Sequence, residues 1–477
     1  MSEDLMFQPV SELAASVREG DVSARELVET SLQAIDRLNG ELNAFVTLCA
    51  ERALAEADAI EPGDSRPLAG IPIAIKDLVQ MTEGVRTTMG MNAMEDWVPP
   101  MDSALVRRLR EAGAIVVGKT NTPELGILPV TEPQRFGATR NPWDTSRTPG
   151  GSSGGSASAL ASGMVPIAHA NDGGGSIRIP ASACGLVGLK PARGRVSLAP
   201  LTEYAGGIAI DGCVSHTVAD TALILDVISG YEPGDPYWAP PPSAPFADAV
   251  DRGPGALRVA FTTQSPNGVP VHEDCVTAVK EAAELLESLG HTVSEAPPLS
   301  DEGYIDNFIK IWTAGTALSV RGFGMLKGEP LDYDKLEPLT REMVELGATF
   351  DAADYLEAVG YLQMLARTIV AMWSDVDVLL TPTVAQPPLK IGALAPKEGE
   401  PAMAWLNNAA EWVPFTPVWN VTGQPAISLP LYHSDEGLPI GVQFVGPPAG
   451  EELLLSLAGQ LETARPWAAR RPELAAA

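Results

Sequence analysis

Short, uninterrupted apolar runs alternate along the chain with longer amphipathic segments. In the segment 23–38, Ser23 and Glu26 have the spacing of a capping box and apolar residues recur on one face, which predicts a helix. The run 71–75 is apolar throughout, is short enough to be a buried strand, and ends at Lys76. This alternation of strand and helix patterns predicts an α/β core.

Further elements are predicted along the rest of the chain. A helix around 102–112 leads into an apolar run, and the region 301–370 has helical patterning with aromatic and methionine insertions. The stretch 233–245 is rich in proline, which predicts a surface excursion or a boundary. Most of the later strands are predicted to be buried on both faces because they are apolar throughout. The additional predicted strands are 114–117, 257–261, 376–380, 426–429 and 440–445.

The charge of the chain argues against two classes of partner. The sequence has 61 acidic and 32 basic side chains, and its formal net charge is -29. Such a charge repels phosphate backbones and anionic membranes. No apolar run reaches the roughly 18 residues that a membrane-spanning helix needs. Neither nucleic acid nor a membrane is therefore expected as a partner.

The N-terminus and the cysteines indicate the compartment. The first four residues, Met-Ser-Glu-Asp, are acidic where a secretory signal would be basic and then apolar, which predicts a cytoplasmic protein. The four cysteines are far apart and form no C-x-x-C pattern, so neither a zinc site nor a disulfide framework is expected. They are predicted to be buried free thiols: Cys49, Cys184, Cys213 and Cys275.

Two local motifs match patterns of other enzyme classes without the structural context that those classes need. Residues 113–120 fit the P-loop pattern G-x-x-x-x-G-K-T, but their middle residues are the predicted strand rather than a phosphate-binding loop. Residues 151–155 fit G-x-S-x-G, but a loop precedes them and the motif needs a histidine base. Of the five histidines only His169 is close to a glycine-rich motif, and it is predicted to be structural.

The segment 145–188 is rich in glycine, serine and alanine and offers serine hydroxyls, but no credible histidine base. A lysine can deprotonate a serine if it is neutral, and burial at the end of an apolar strand lowers the pKa of a lysine. Lys76 has this position. The alternative is a structural Lys76 that extends from the strand end to the surface or pairs with Asp77.

Motifs in a fixed order resemble the amidase-signature family. The core of the resemblance is G-G-S-S-G-G-S at 150–156, N-D-G-G-G-S-I-R-I-P at 171–180 and G-L-V-G-L-K-P at 185–191. Matching segments outside this core lie in family order at 76–78, 118–121, 194–197 and 423–430. The resemblance covers about residues 5 to 470 and is weakest at 210–415. It implies a hydrolase that cleaves a non-peptide carbon–nitrogen bond of an amide and releases a carboxylic acid and an amine.

The resemblance assigns the catalytic roles. It implies that Ser176 is the nucleophile that carries the acyl group, that Lys76 is the base, and that Ser152 relays the proton between them. The relay serine of the family has a cis peptide bond. The resemblance implies no metal and no organic cofactor.

Further roles follow from the same resemblance. The backbone N–H groups of the glycine run before the nucleophile are expected to form the oxyanion hole: Gly173, Gly174 and Gly175. Three polar residues are expected to hold this loop by hydrogen bonds and charge: Ser153, Asp172 and Arg178. The family more often has threonine or isoleucine at position 173, so the glycine there is expected to loosen the loop and to change the shape of the acyl pocket.

The resemblance also implies the fold, a single compact α/β domain over residues 1–477 with a mixed, twisted central sheet covered by helices on both faces. Its core is expected at about 60–215 and 375–465, and a divergent, largely helical, substrate-selecting region at about 300–420. Substrate contacts are expected from Ile127 and Trp312. Tyr304, Trp405 and Trp419 are further candidates for an apolar funnel.

Segments at 131–143, 169–182 and 420–430 resemble hydrolases of nylon-type oligoamides most closely. A small-molecule amide is therefore the expected partner: a cyclic or linear nylon-type oligoamide, an aryl anilide or a carbamate. A homodimer is compatible with the resemblance. Two alternatives stay open, namely the glutamine-amidase subunit of a tRNA-dependent amidotransferase and a non-catalytic descendant that serves as a binding module.

Overall fold

The computed structural model describes residues 3–476. The strands are β1 (Phe45–Leu48), β2 (Pro72–Lys76), β3 (Ile115–Thr120), β4 (Ile167–Asp172), β5 (Val187–Lys190), β6 (Ile210–Ser215), β7 (Arg258–Phe261), β8 (Thr292–Glu295), β9 (Val378–Pro382), β10 (Ala426–His433) and β11 (Pro439–Val445). The helices are α1 (Val10–Glu19), α2 (Ala24–Leu42), α3 (Ala50–Asp58), α4 (Ala104–Glu111), α5 (Gly154–Ala161), α6 (Arg178–Cys184), α7 (Val218–Ile228), α8 (Ala247–Val250), α9 (Glu273–Ser288), α10 (Tyr304–Lys327), α11 (Pro338–Gly347), α12 (Ala352–Val370), α13 (Ala404–Trp412), α14 (Val418–Thr422) and α15 (Glu451–Ala464).

The strands form one mixed sheet in the order β1-β3-β2-β4-β6-β5-β10-β11-β9-β7-β8. Strand β2 pairs in parallel with β3 and β4, and β7 pairs in parallel with β8 and β9. The remaining neighbours are antiparallel. Strand β2, which ends at Lys76, and β4, which leads into the glycine run, are thus direct neighbours. This pairing brings two segments together that are about 90 residues apart in the sequence.

The central strands are covered on both faces. Every residue of β2, β3, β4, β6 and β11 is buried, as expected of strands between two helical layers. The mixed α/β architecture with a twisted central sheet and helices on both faces is therefore confirmed. Within residues 3–476, no helix is long and apolar enough to cross a membrane.

Several local predictions are confirmed by the structure. Ser23 caps α2: its side chain accepts the N–H of Glu26, and the Glu26 carboxylate accepts the N–H of Ser23. The middle residues of the P-loop-like segment lie in β3, so they form a strand instead of a phosphate-binding loop. The proline-rich stretch 233–245 contains neither helix nor strand.

Other features differ from the prediction. The apolar pattern does not predict β1, β4, β5, β6 or β8, although β4 carries the residues that lead into the glycine run. Three of the four cysteines are buried free thiols, but the thiol of Cys49 is only partly buried.

The region 301–420 is largely helical apart from β9, and we call its packed helices the helical cover. Helix α10 packs against α11 and α12, and α12 packs against α14. A small apolar cluster joins α13 to the turn at 127–130 and to α11. This cover forms one wall of the cavity described below.

Candidate active site

Lys76 and Ser152 meet at the carboxyl end of β2. Lys76 is the last residue of this strand and is fully buried. Its Nζ lies 2.7 Å from the Ser152 Oγ and 2.6 Å from the Asn171 Oδ1. Ser152 follows a cis peptide bond after Gly151, as the sequence resemblance implies. The structure therefore brings the predicted base and the predicted relay serine into hydrogen-bonding distance.

The structural alternatives for Lys76 do not fit this geometry. A buried lysine does not extend to the surface, and within the described residues no ion pair joins Lys76 to Asp77. The Asp77 carboxylate instead accepts the N–H and the hydroxyl of Thr88, at 3.1 and 2.5 Å. The hydrogen-bonding partners of the Lys76 Nζ are thus Ser152 and Asn171, and not Asp77.

Burial lowers the pKa of Lys76 to about 7, and the negative charges of Asp211 and Asp172 oppose this shift. A substantial fraction of Lys76 is consequently neutral near pH 7. Two other buried lysines, Lys119 and Lys190, have pKa values lowered by burial to about 8 and about 7. Their Nζ groups, however, donate to backbone carbonyls. Only Lys76 of these three combines a low pKa with a serine hydroxyl as its partner.

His169 and Asp211 form a buried pair beside Lys76. The His169 Nδ1 accepts the backbone N–H of Lys76 at 3.3 Å, and its Nε2 lies 2.9 Å from the Asp211 Oδ1. Because a backbone N–H can only donate, Nδ1 is unprotonated and the proton resides on Nε2, where it is donated to Asp211. Both ring nitrogens are satisfied within the protein, in agreement with the structural role predicted for His169.

Asn171 is a site residue that the sequence analysis misses. It lies in β4 directly opposite Asp211 of β6 and accepts a hydrogen bond from the Lys76 Nζ. Its main chain is held by Ser153, whose Oγ lies 3.3 Å from the Asn171 carbonyl oxygen and 3.4 Å from its nitrogen. Ser153 thus contacts β4 and not the glycine loop that it was expected to hold. The only sequence signal for Asn171 is its place at the start of the N-D-G-G-G-S motif.

Ser176 lies in the turn between β4 and α6, at the wall of a cavity. Its side chain is 9% exposed. Among residues 3–476, none forms a hydrogen bond with the Ser176 hydroxyl. The hydroxyl is therefore available to a molecule that enters the cavity.

The glycine run before Ser176 differs from the prediction at one position. The N–H of Gly175 donates to the Asp172 Oδ1 at 2.7 Å. It is therefore not free to bind an oxyanion, contrary to the prediction. Gly175 has a φ of +129°, and a Cβ there would lie 2.3 Å from a threonine hydroxyl, which explains the glycine. In the described part of the chain, the N–H groups of Gly173, Gly174 and Ser176 have no acceptor. The available donors are thus Gly173 and Gly174, as predicted, and Ser176 in place of Gly175.

A buried ion pair anchors this loop. Arg178 and Asp172 are both fully buried, and the Arg178 Nη2 lies 2.9 Å from the Asp172 Oδ1. Arg178 also donates to the side-chain oxygens of Asn420 and Gln443, and Asn420 donates to Asp172. Burial by itself raises the pKa of Asp172, but the charge and hydrogen bonds of Arg178 hold that pKa at about 2. The sequence analysis misses Asn420 and Gln443 because they are far away along the chain.

Replacing Arg178 with methionine is expected to lower the free energy of unfolding by about 3–5 kcal/mol, because it leaves Asp172 as an unpaired buried charge. Urea denaturation at pH 7 measures this change. The matched control is Arg258→Met, whose ion pair with Asp377 is exposed to solvent and should contribute much less to stability than the buried pair. Equal losses for the two variants would contradict the anchoring role of Arg178.

The cavity beside Ser176 is lined mainly by apolar side chains. Its lining includes Gly174, Ser176 and several residues of helix α10. The predicted contacts Ile127 and Trp312 both line it, and so does Tyr304. The described lining does not include Trp405 or Trp419, so the prediction that these two line a funnel is wrong: Trp419 is 1% exposed in the core, and Trp405 packs into the cluster around α13.

Comparison with known proteins places this geometry in context. The family model described as Amidase matches residues 26–455. The 6-aminohexanoate-cyclic-dimer hydrolase of Paenarthrobacter ureafaciens is 39% identical over 487 aligned residues, covering 99% of this chain and 98% of the relative.

Solved structures agree with these matches. A 6-aminohexanoate cyclic dimer hydrolase complexed with substrate superimposes with a TM-score of 0.95 at 39% identity, covering 99% of this chain and 100% of the other. A bacterial aryl acylamidase of the amidase-signature family superimposes with a TM-score of 0.86 at 26% identity, covering 98% of each chain.

Proposed function

The chain belongs to the amidase family and is an amide hydrolase, and from this premise we propose that Ser176, Ser152 and Lys76 carry out the reaction. The observation that carries the proposal is the 2.7 Å contact between the Lys76 Nζ and the Ser152 Oγ in a fully buried setting. A hydroxyl in contact with a partly neutral amine can pass a proton to it.

In the proposed mechanism the Ser176 Oγ attacks the carbonyl carbon of the amide. Its proton passes to the Ser152 Oγ, and the proton of Ser152 passes to the neutral Nζ of Lys76. When the tetrahedral intermediate collapses, the same route returns a proton to the leaving amine and the carbon–nitrogen bond breaks. Water then attacks the acyl-Ser176 ester, with Lys76 again accepting a proton through Ser152, and the carboxylic acid is released.

The oxyanion of the intermediate is proposed to bind the free N–H groups of Gly173, Gly174 and Ser176. Each such donor typically stabilises the transition state by about 3 kcal/mol. Gly175 acts differently, since its N–H donates to Asp172 and holds the loop in place. Arg178 is proposed to position the glycine loop through its ion pair with Asp172. Ser153 is proposed to position β4 through its hydrogen bond with the main chain of Asn171.

The proposed substrates are cyclic or linear nylon-type oligoamides, aryl anilides or carbamates. Asp301 is the charged side chain in the described lining of the cavity, and no lysine or arginine is found there. The substrate-selecting region is proposed to be 300–420, which contributes Tyr304, Trp312 and α13 residues to the wall.

A glutamine-amidase role is not supported by this lining. The carboxylate of glutamine is bound most favourably by a cationic side chain, which the described lining lacks, and the net charge of -29 disfavours a tRNA-bound assembly. Hydrolysis of anilides, carbamates and cyclic amides by the purified single chain tests the proposal. Activity only with glutamine and a co-purifying second subunit would contradict it.

The pH profile provides a second test. Lys76 accepts a proton only when neutral, so kcat/KM should rise with pH through the lowered Lys76 pKa of about 7. The negative charge of Asp211 raises the Lys76 pKa, so Asp211→Asn should move the rising limb of the pH profile to lower pH. The side-chain oxygen of the new asparagine can still accept the hydrogen bond from the His169 Nε2. Asp248→Asn, at an exposed position of α8, is the control and should leave the limb in place. A limb that moves to higher pH in Asp211→Asn would contradict this assignment.

The cytoplasm is the proposed compartment, supported by four cysteines that are all free thiols. A homodimer is the proposed assembly, since two-fold homodimers are the commonest oligomers of globular proteins. Light scattering on the purified chain tests the assembly, and a mass equal to that of one chain would contradict it.

A further inference from the structure

Trp312 fills space beside the glycine run that a side chain at position 173 would need. A Cβ placed on Gly173 would lie 3.1 Å from the Trp312 Cη2 and 3.2 Å from its Cζ3. These distances are shorter than ordinary van der Waals contact, so a Cβ at position 173 requires the indole to shift by a few tenths of an ångström. The observed position of the Trp312 indole therefore requires a glycine at position 173.

The indole belongs to a cluster of aromatic rings. Phe308 lies one helical turn before Trp312 in α10, and the two rings stack with centroids 5.4 Å apart and an interplanar angle of 19°. Tyr204 meets the indole edge to face, at 5.7 Å and 86°. Held on two sides in this way, Trp312 has little freedom to rotate.

These two rings line the same cavity as the proposed nucleophile. Trp312 and Phe308 are among its lining residues together with Gly174 and Ser176, and Ile127 lines it as well. We call the part of this mainly apolar cavity between the aromatic pair and Ser176 the slot. Its charged lining residue within the described part of the chain is Asp301, which disfavours anionic groups.

We propose that the pairing of Gly173 with Trp312 makes this slot selective for a flat, uncharged group of the substrate, such as an aromatic ring or a planar conjugated segment, next to the scissile amide. The inference rests on the proposed function, since the slot matters only if Ser176 is the reacting group. A planar ring can pack closely against the aromatic pair of Trp312 and Phe308, whereas a puckered ring of the same size leaves gaps. Trp312 is thereby a specificity-determining residue.

The test compares planar and puckered rings of equal carbon number on both sides of the amide. Benzamide is paired with cyclohexanecarboxamide for the acyl side, and acetanilide with N-cyclohexylacetamide for the amine side. In at least one pair, Trp312→Leu should reduce the planar-to-puckered ratio of kcat/KM about fivefold relative to the parent, in line with the usual strength of aromatic stacking. Comparing ratios between enzymes cancels the different intrinsic reactivities of the substrates.

Gly173→Ala should reduce the same ratio, because its methyl group displaces the indole. The double variant Gly173→Ala with Trp312→Leu should lose less than the two single variants added together, since the clash disappears with the ring. Leu318→Ala is the control: Leu318 is on the same helix but 64% exposed, and the ratio should stay unchanged. If Trp312→Leu does not fold, Gly173→Ala and Trp312→Phe provide the same comparison.

The outcomes separate the inference from the function on which it rests. Ratios within about twofold of the parent in both pairs, with an acyl-enzyme still forming on Ser176, would overturn the slot and leave the amidase mechanism standing. Absence of any acyl-enzyme on Ser176 in the parent would overturn the proposed function itself.

Discussion

Replacing Ser176 with alanine is expected to lower kcat/KM by about 10⁶-fold, as for other serine hydrolases that lose their nucleophile. Without the Oγ no acyl-enzyme can form, and the residual rate must come from binding and the oxyanion donors alone. The fold should be unaffected, because the Ser176 hydroxyl makes no hydrogen bond within residues 3–476. The free energy of unfolding should change by less than about 0.5 kcal/mol.

Steady-state kinetics and urea denaturation on the same preparation measure both effects. Ser288→Ala, which changes an exposed serine at the end of α9, is the matched control and should keep its rate. A Ser176→Ala variant that retains a tenth of the parent activity would show that another group attacks the amide.

Replacing Lys76 with methionine is expected to lower kcat/KM by about 10²- to 10⁴-fold, the usual contribution of a general base. The rising limb of the pH profile near pH 7 should also disappear, because the titrating group is gone. Methionine has a similar length and is apolar, so it fits the buried position. The loss of activity would then result from the missing base and not from disturbed packing of the core.

The stability of this variant separates a catalytic lysine from a structural one. Burial lowers the folded-state pKa of Lys76 below its unfolded value, so the unfolded chain binds more protons between about pH 7 and 10. Stability of the parent should therefore rise with pH in this window, and below it the lysine destabilises the fold. Lys76→Met should weaken that dependence, with the contributions of Lys119 and Lys190 remaining, and should be at least as stable as the parent at pH 7.

Lys119→Met is the control, since Lys119 is also fully buried with a lowered pKa but donates only to a backbone carbonyl. Its pH–rate limb should stay where it is in the parent. A Lys119→Met enzyme without the limb, or a Lys76→Met enzyme that keeps it, would assign the titration to a different group.

The sequence analysis succeeds where function and local pattern agree. Strand β2 is recognisable because its residues before Lys76 are all apolar, and this pattern already indicates a buried lysine. The helix N-cap at Ser23 follows from a purely local hydrogen-bonding pattern. Such features are predictable since their partners lie within a few residues.

Strand β4 is not predictable from its pattern because it carries His169, Asn171 and Asp172, which are polar yet fully enclosed. Their hydrogen-bonding partners come from β2, β6 and α6, so burial becomes favourable only after the sheet has formed. The occupied N–H of Gly175 has a nearby acceptor, the Asp172 side chain three residues earlier, but the glycine run does not reveal the turn that brings the two groups together. A motif identifies the residues but not the direction of their hydrogen bonds.

The position of aromatic side chains is likewise set by packing. Trp312 and Trp419 have similar apolar surroundings in the sequence, but one lines the cavity and the other is in the core. The meaning of glycine at position 173 also becomes clear only in three dimensions, where the Trp312 indole occupies the space beside it.

The central claim is that Ser176 reacts and that Lys76, through Ser152, activates it. The most direct measurement is to label the protein with a fluorophosphonate, to locate the adduct by peptide mass spectrometry, and to compare labelling rates of the parent and Lys76→Met. We expect one adduct, on Ser176, formed far more slowly in Lys76→Met. An adduct on Ser152 or Ser153, or an equal labelling rate in the two proteins, would contradict the claim.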